Sequence, residues 1–337
     1  MSVSFRTDEG IVRAVDDVSF SVCEGEVLGI VGESGCGKTV TAMSLLGLIP
    51  SPPGRIDAGR AFFRGEDLFS VNLARLREIR GKKISMIFQE PMTALSPLVR
   101  IGDQLAETLQ LHGDMPTTVA RRTGEEWLRK VGIPDAAECM ARFPYELSGG
   151  MRQRVMIAAA LMLDPDLIIA DEPTTALDVT IQAQIFDIIR AMKSQKTAMI
   201  LITHDMGIVW EMCDRVLVMY ASRVAEEGGV REIFADPRHP YTQGLLASIP
   251  RLQKRGGKLT SIPGQVPSPL NYPEGCHFAD RCPQVHERCR GSKPPLFATA
   301  HGGRAACFLV DEGRAVRPGP PATDGAAGTP RPTGGTE

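Results

Sequence analysis

Gly32-Glu33-Ser34-Gly35-Cys36-Gly37-Lys38-Thr39 is the stretch on which the reading of this chain turns. It fits the G-x-x-x-x-G-K-[ST] phosphate-loop pattern. Its setting fits too: residues 26–31 are mostly apolar and read as a buried strand, and residues 39–48 follow a helical pattern that Pro50, Pro52, Pro53 and Gly54 end. Glycines let backbone N–H groups converge on phosphate oxygens, and the helix N-terminus adds the positive end of its dipole. Lys38 is then placed for the β- and γ-phosphates, and Thr39 offers a hydroxyl to Mg²⁺. A glycine-rich connector is the plain alternative, and the flanking strand and helix weigh against it.

A phosphate loop alone says nucleotide. Leu167-Ile168-Ile169-Ala170-Asp171-Glu172 supplies what hydrolysis adds, an apolar strand ending in two carboxylates. Strand ends carry the ligand site in a parallel sheet, so Asp171 can hold the metal and Glu172 can polarise a water. Ile181, Ile185, Ile188, Ile189 and Met192 follow a helical period, and residues 198–203 give another buried strand. Alternation of this kind implies an α/β fold with a parallel sheet covered by helices. Residues near 1–30 read as short β segments, with alternation at 18–22, and residues 81–165 as a mostly helical insertion punctuated by prolines.

With these parts in place the chain resembles the ATP-binding subunits of ABC transporters. Leu147-Ser148-Gly149-Gly150-Met151 is similar to their signature motif, with Met where many members carry Gln. Ser148 is a good N-cap for the helix that follows, and Gly149 and Gly150 leave backbone amides open to an anion. The resemblance implies further roles. Gln89, in Ile87-Phe88-Gln89-Glu90-Pro91, matches the Q-loop glutamine that senses Mg²⁺ and nucleotide. Leu177-Asp178 matches the D-loop at the dimer contact, and His204, in Ile202-Thr203-His204-Asp205, the switch histidine near the γ-phosphate. Phe5 is the candidate for stacking on adenine. The fold implied is a P-loop NTPase cassette, a RecA-like core with an antiparallel β subdomain and a helical subdomain at about 90–165, together covering 1–235. The cofactors implied are ATP and Mg²⁺, the latter through Thr39, Gln89 and Asp171, with Glu172 and His204 catalytic.

After about residue 236 proline and glycine rise, and four of the 8 cysteines, Cys276, Cys282, Cys289 and Cys307, crowd together. In a reducing compartment a cluster suggests metal before disulfide. The spacing leaves zinc, an iron–sulfur cluster or free thiols open, with His277 and His286 as further candidate ligands. Arg238-His239-Pro240-Tyr241-Thr242, Leu245-Leu246-Ala247-Ser248-Ile249-Pro250, Ile262-Pro263-Gly264 and Gly275-Cys276 resemble the C-terminal extension of dipeptide and oligopeptide importer ATPases, whose nickel-importing relatives share the design. That resemblance implies a [4Fe–4S] cluster on the four thiolates, with Zn²⁺ as the alternative, stapling a small cysteine-rich metal-binding domain at 236–310. Residues 311–337 are mainly Pro, Gly, Ala, Thr and Arg and are expected to be disordered.

Length and charge bound the partners. The 337 residues suit one large α/β domain or two smaller ones, and 38 Lys+Arg against 40 Asp+Glu give no whole-chain argument for nucleic acid. The longest apolar run, around 155–163, is too short for a membrane span, and no signal peptide opens the chain. Arg75, Arg77, Arg80, Lys82 and Lys83 form a basic stretch that reads as a solvated face. The family implies a peripheral protein on the cytoplasmic face of the cell membrane. Its partners would be two transmembrane permease subunits, a second and distinct ABC ATPase subunit, and an extracytoplasmic substrate-binding protein. A soluble ABC-type ATPase acting on nucleic acid or ribosomes is the competing class, and the chain shows neither its sustained heptads nor a basic arm. A metal-cluster regulator with a vestigial ATP site is a third, against which stand Lys38, Asp171, Glu172 and His204.

Overall fold

The computed structural model of the protein describes residues 1–113, 115–174, 178–249, 261–300 and 302–314. The chain begins with an antiparallel pair, β1 (Ser2–Thr7) and β2 (Gly10–Val15), and continues through β3 (Val27–Val31) to β4 (Gly54–Ala58). β4 returns to the free side of β1 and completes a three-stranded sheet ordered β2-β1-β4. β5 (Phe62–Phe63) and β6 (Glu66–Asp67) make a short hairpin. The remaining strands are β7 (Ile84–Ile87), β8 (Leu167–Asp171), β9 (Ala198–Ile202), β10 (Arg215–Tyr220), β11 (Arg223–Gly229), β12 (Phe297–Ala298) and β13 (Arg304–Ala305). They join β3 in one sheet ordered β12-β13-β11-β10-β3-β9-β8-β7. From β10 to β7 it is parallel, and β11, β13 and β12 add on antiparallel.

The parallel strands are apolar on both faces because both are covered, and the period of two decides which residue goes where. Ile168, Ala170, Met199 and Leu201 enter the core under the helical insertion. Ile169, Ile200 and Ile202 enter the opposite core, with Leu28 and Ile30 of β3. Between β7 and β8 the insertion is helical as expected. Ile101–Gly113 buries Ile101, Leu105 and Leu109, and Thr117–Lys130 buries Ala120, Gly124 and Leu128, each a row four residues apart on one helix face. Residues 18–22 differ from expectation. They carry no ladder, because the Val18 backbone is tied to Met1, whose carbonyl accepts its N–H at 3.0 Å.

In the basic stretch Arg75, Arg77 and Lys82 are exposed, as a solvated face requires, while two of its arginines also bond to the fold. Arg75 grips the Glu66 carboxylate at 3.0 Å through two nitrogens, and Arg80 donates to the carbonyls of Leu46 and Gly47 at 2.7 and 2.8 Å. After residue 236 the chain builds onto the main sheet. Tyr241, in the helix Pro240–Ala247, and Phe278 pack in one cluster with Val31, Val216, Val218 and Tyr220, while β12 and β13 extend the sheet edge. A short helix, Phe308–Asp311, reaches into the expected tail, whose residues 315–337 lie outside the described residues.

Candidate functional site

Because β7, β8, β9 and β3 are parallel neighbours, their carboxyl ends open on one edge. Gly32 leaves β3 there, Gln89 follows β7, Asp171 ends β8 with Glu172 next, and His204 follows β9.

The phosphate loop turns through positive φ at Gly32 (154°), Gly35 (78°) and Gly37 (102°). A Cβ at Gly32 would lie 2.1 Å from the Met219 carbonyl oxygen, and one at Gly37 2.2 Å from that of Ala14, so neither position admits a side chain. Ser34 and Gly35 are exposed at the tip. The helix Lys38–Leu45 starts without a side-chain cap, which leaves its first amides to an anion. Lys38 is buried and folded back, its Nζ donating to the carbonyls of Gly32 (2.8 Å) and Glu33 (3.1 Å) and reaching Cys36 Sγ at 3.8 Å. Burial pushes the Cys36 thiol up from its ordinary range.

Thr39 Oγ1 donates to Asp171 Oδ1 at 3.1 Å. Burial, with the charge of Glu172 adding to it, raises the Asp171 carboxyl above the usual carboxylate range against the opposing Thr39 bond and Lys38 charge. A carboxylate so placed gains from a cation, and the hydroxyl beside it completes a pair of hard oxygen ligands of the kind Mg²⁺ takes.

Glu172 has a left-handed backbone, φ 43°, and its N–H is fixed to the Ile202 carbonyl at 2.9 Å. Such a conformation costs roughly 1–3 kcal/mol and persists where surrounding bonds over-determine it. It brings Glu172 Oε2 to 3.3 Å from Gln89 Nε2 and 3.5 Å from His204 Nδ1. The expected base, Q-loop glutamine and switch histidine therefore meet at one carboxylate oxygen, and the His204 imidazole is largely exposed beside it.

Ser148 caps the helix Gly149–Leu161, its Oγ accepting from Met151 N–H at 3.3 Å. Ser148 and Gly149 are exposed, and the hydrogen bonds described for Ser148 stay within its own helix. Sequence reasoning missed Gln153 on that helix, buried and donating to the Pro173 carbonyl just after Glu172, so the helix is tied to the hydrolytic corner. Asp178 is exposed at the N-cap of Val179–Met192, and Leu177 lies outside the described residues. Phe5 is half-buried in β1 against the apolar cluster of the small sheet, opposite Gly54.

The cysteine-rich end is a partial correction. Among the described residues no group of three or more His, Cys, Asp or Glu is arranged to hold a metal ion, so neither an iron–sulfur cluster, nor zinc, nor a metal-binding domain is supported. His277 instead meets the Ala221 carbonyl through Nδ1 at 2.7 Å, His286 lies 3.9 Å from Glu312, and neither ring lines the cavity that the four thiols share. The four cysteines, all free, do line one cavity of about 320 Å³ including its open mouth.

Residues 15–175 match the ABC transporter family, and residues 225–289 match the oligopeptide/dipeptide transporter C-terminal region. A dipeptide transport ATP-binding protein of Bacillus subtilis, DppD, is 47% identical over 93% of both chains. An oligopeptide transport ATP-binding protein of Salmonella typhimurium, OppD, is 48% identical over 91% of both. Among solved structures, a dimeric post-hydrolysis state of the ATP-binding cassette MJ0796 bound to ADP and Pi matches at TM-score 0.61 and 26% identity, over 68% of this chain and 96% of that one. No helix among the described residues is long and apolar enough to cross a membrane. A phosphate loop, an acidic strand end and a histidine on one sheet edge, shared with relatives along nearly the whole chain, place this protein in the ABC transporter family as an ATPase with an oligopeptide/dipeptide-transporter C-terminal region.

Proposed function

We propose that this chain is the ATP-hydrolysing subunit of an importer of dipeptides or oligopeptides, peripheral on the cytoplasmic face of the membrane. It would work with a second, distinct cassette, two permease subunits and an extracytoplasmic substrate-binding protein. The peptide class rests on the named relatives and the matched C-terminal region. The hydrolytic reading rests on one observation above all, the Glu172 carboxylate held beside Gln89 and His204 at the mouth of the phosphate loop.

In this reading the loop amides of residues 32–37 and Lys38 bind the phosphates, and Phe5 packs against the adenine. Thr39, Asp171 and Gln89 hold Mg²⁺, which when bound neutralises developing phosphate charge. Glu172 takes the proton of the attacking water, and His204 orients it and contacts the γ-phosphate. The loop covers nucleotide from one side only. Ser148, Gly149 and Gly150 of the partner cassette, with Asp178 at the contact, would close the other. ATP then stabilises a closed dimer, and loss of phosphate removes the anion that holds it shut. Purifying the assembly from its native membrane tests this directly. The expected result is co-purification of two permeases and a second ATPase, with hydrolysis stimulated by peptide. Stimulation by nickel alone would reassign the cargo.

We assign residues 1–235 to the cassette and 236–310 to an extension whose Cys276, Cys282, Cys289 and Cys307 ligate a [4Fe–4S] cluster. What supports the reading is that the four thiols line one cavity, where they would hold the cluster together. Burial, with the neighbouring thiols adding to it, pushes Cys276 and Cys282 up to about 11 and Cys307 up to about 12. Holding them as thiolates would take a cationic group among them. Backbone N–H groups of Phe278 and Ala279 face Cys276, that of Gln284 faces Cys282 and that of Leu309 faces Cys307, as hydrogen bonds to cluster sulfurs require. Anaerobically purified protein is expected to be brown, with four irons per chain by metal analysis. Stoichiometric zinc without iron would reject the assignment.

A further inference from the structure

We propose that Arg281 is a positioning residue for ATP: from the cysteine-rich extension it holds Glu33, and with it the phosphate loop, in the shape that receives the triphosphate. The inference rests on the ATP-site reading above and adds to it a contact across 248 residues of sequence.

Glu33 is bound on three sides. Its carboxylate takes a two-nitrogen grip from Arg281, Nη1 to Oε2 at 2.6 Å and Nη2 to Oε1 at 3.0 Å. Its N–H donates to Tyr241 Oη at 2.9 Å, and its carbonyl accepts from Lys38 Nζ at 3.1 Å. Arg281 is itself fixed from behind. It is buried, and its guanidinium donates to the carbonyls of Pro263 (3.0 Å) and Ile262 (3.2 Å) and to Tyr220 Oη (3.3 Å). Tyr241 is wholly buried and packs on Tyr220 and Phe278, and Phe278 also lines the thiol cavity. A planar, bidentate guanidinium fixes both the position and the orientation of a carboxylate, which a point charge does not.

Lys38 gives this arrangement its purpose. Its ammonium clasps the Gly32 and Glu33 carbonyls, and in the ATP-site reading the same ammonium also serves a phosphate. A donor shared in this way cannot alone fix the shape of the loop. The contacts from Arg281 and Tyr241 come from the extension and are not spent on phosphate, so they order the loop independently of Lys38. Ordering completed in advance lowers the cost of binding, so its loss appears in ATP affinity rather than in the chemical step.

The test measures binding of a fluorescent ATP analogue to the full chain, KM and kcat of the assembled complex, and thermal unfolding in parallel. Arg281→Ala is expected to raise KM for ATP roughly 10-fold with kcat within about 2-fold, and Arg281→Lys to recover only part of it. Glu33→Gln should give a similar rise, and the double variant no more than the larger single, since the two act through one contact. Tyr241→Phe, which keeps the ring packing and removes only the acceptor, should raise KM about 3-fold. Unchanged KM in Arg281→Ala and Tyr241→Phe, fold-changes that multiply in the double variant, or a fall in kcat at constant KM would each overturn the proposal. Should Arg281→Ala fail to fold, Tyr241→Phe decides alone. A wild-type complex that retains no ATP overturns the ATP-site reading itself, whereas normal wild-type binding with unaffected variants overturns only the role of Arg281.

Discussion

Glu172→Gln is expected to leave ATP affinity of the assembled complex within a few-fold of wild type and to lower phosphate release by at least ~10²-fold, the scale of losing a general base. The substitution is nearly isosteric, so the comparison isolates a proton-accepting oxygen. The Glu172 backbone is set by its N–H bond to Ile202 and its left-handed φ, neither of which involves the side chain. An amide oxygen can still accept from Gln89 Nε2, so the corner keeps its geometry while losing its basicity. The ATP-bound closed dimer should accumulate, visible as a nucleotide-dependent shift in size-exclusion chromatography. Phosphate release within 10-fold of wild type would remove Glu172 from the mechanism.

Most of this site is local in the chain, which is why it could be read there. A strand that must be buried on both faces is written as a continuous apolar run, and its functional residue follows directly, as Asp171 follows Ile169-Ala170 and Gly32 follows Ile30-Val31. The helical insertion showed itself through periodicity in the same way. What stayed hidden depends on distance or on compensation. Glu226 and Glu227 sit buried in β11, where nothing local in the sequence marks two adjacent carboxylates as interior. They are tolerated because Glu226 accepts the N–H groups of Arg238 (2.6 Å) and His239 (3.0 Å), and Glu227 pairs with Arg304 at 2.6 Å. Those partners come from beyond residue 236, so the strand and the extension are mutually dependent. The Arg281–Glu33 contact has no local signal either. Conversely, His277 and His286 looked like ligands because of their neighbours in sequence; His277 bonds the Ala221 carbonyl instead, and His286 lies against Phe308 with Nε2 3.9 Å from Glu312.

Gly149→Asp should separate the two halves of the nucleotide sandwich: ATP binding by the full chain alone is expected to stay at the wild-type level, while turnover of the assembled complex falls by ~10²-fold or more. A Cβ at Gly149 meets nothing within 4 Å, and the position is exposed in the first turn of its helix. An acidic side chain there favours the helix dipole by about 0.3–1 kcal/mol, so lost function would not trace to lost folding. The same carboxylate occupies the place where the amides after Ser148 would receive the partner site's γ-phosphate, and two anions would then compete for one set of donors. Removal of one such donor from a developing oxyanion commonly costs 10²–10³ in rate, and replacing it with a like charge should cost no less. Gly149→Ala, which leaves the amides open, should retain most of the turnover and so separate charge from bulk. Weakened ATP binding by the isolated Gly149→Asp chain would place the signature residues on this chain's own nucleotide, and undiminished turnover of the complex would take them away from phosphate altogether.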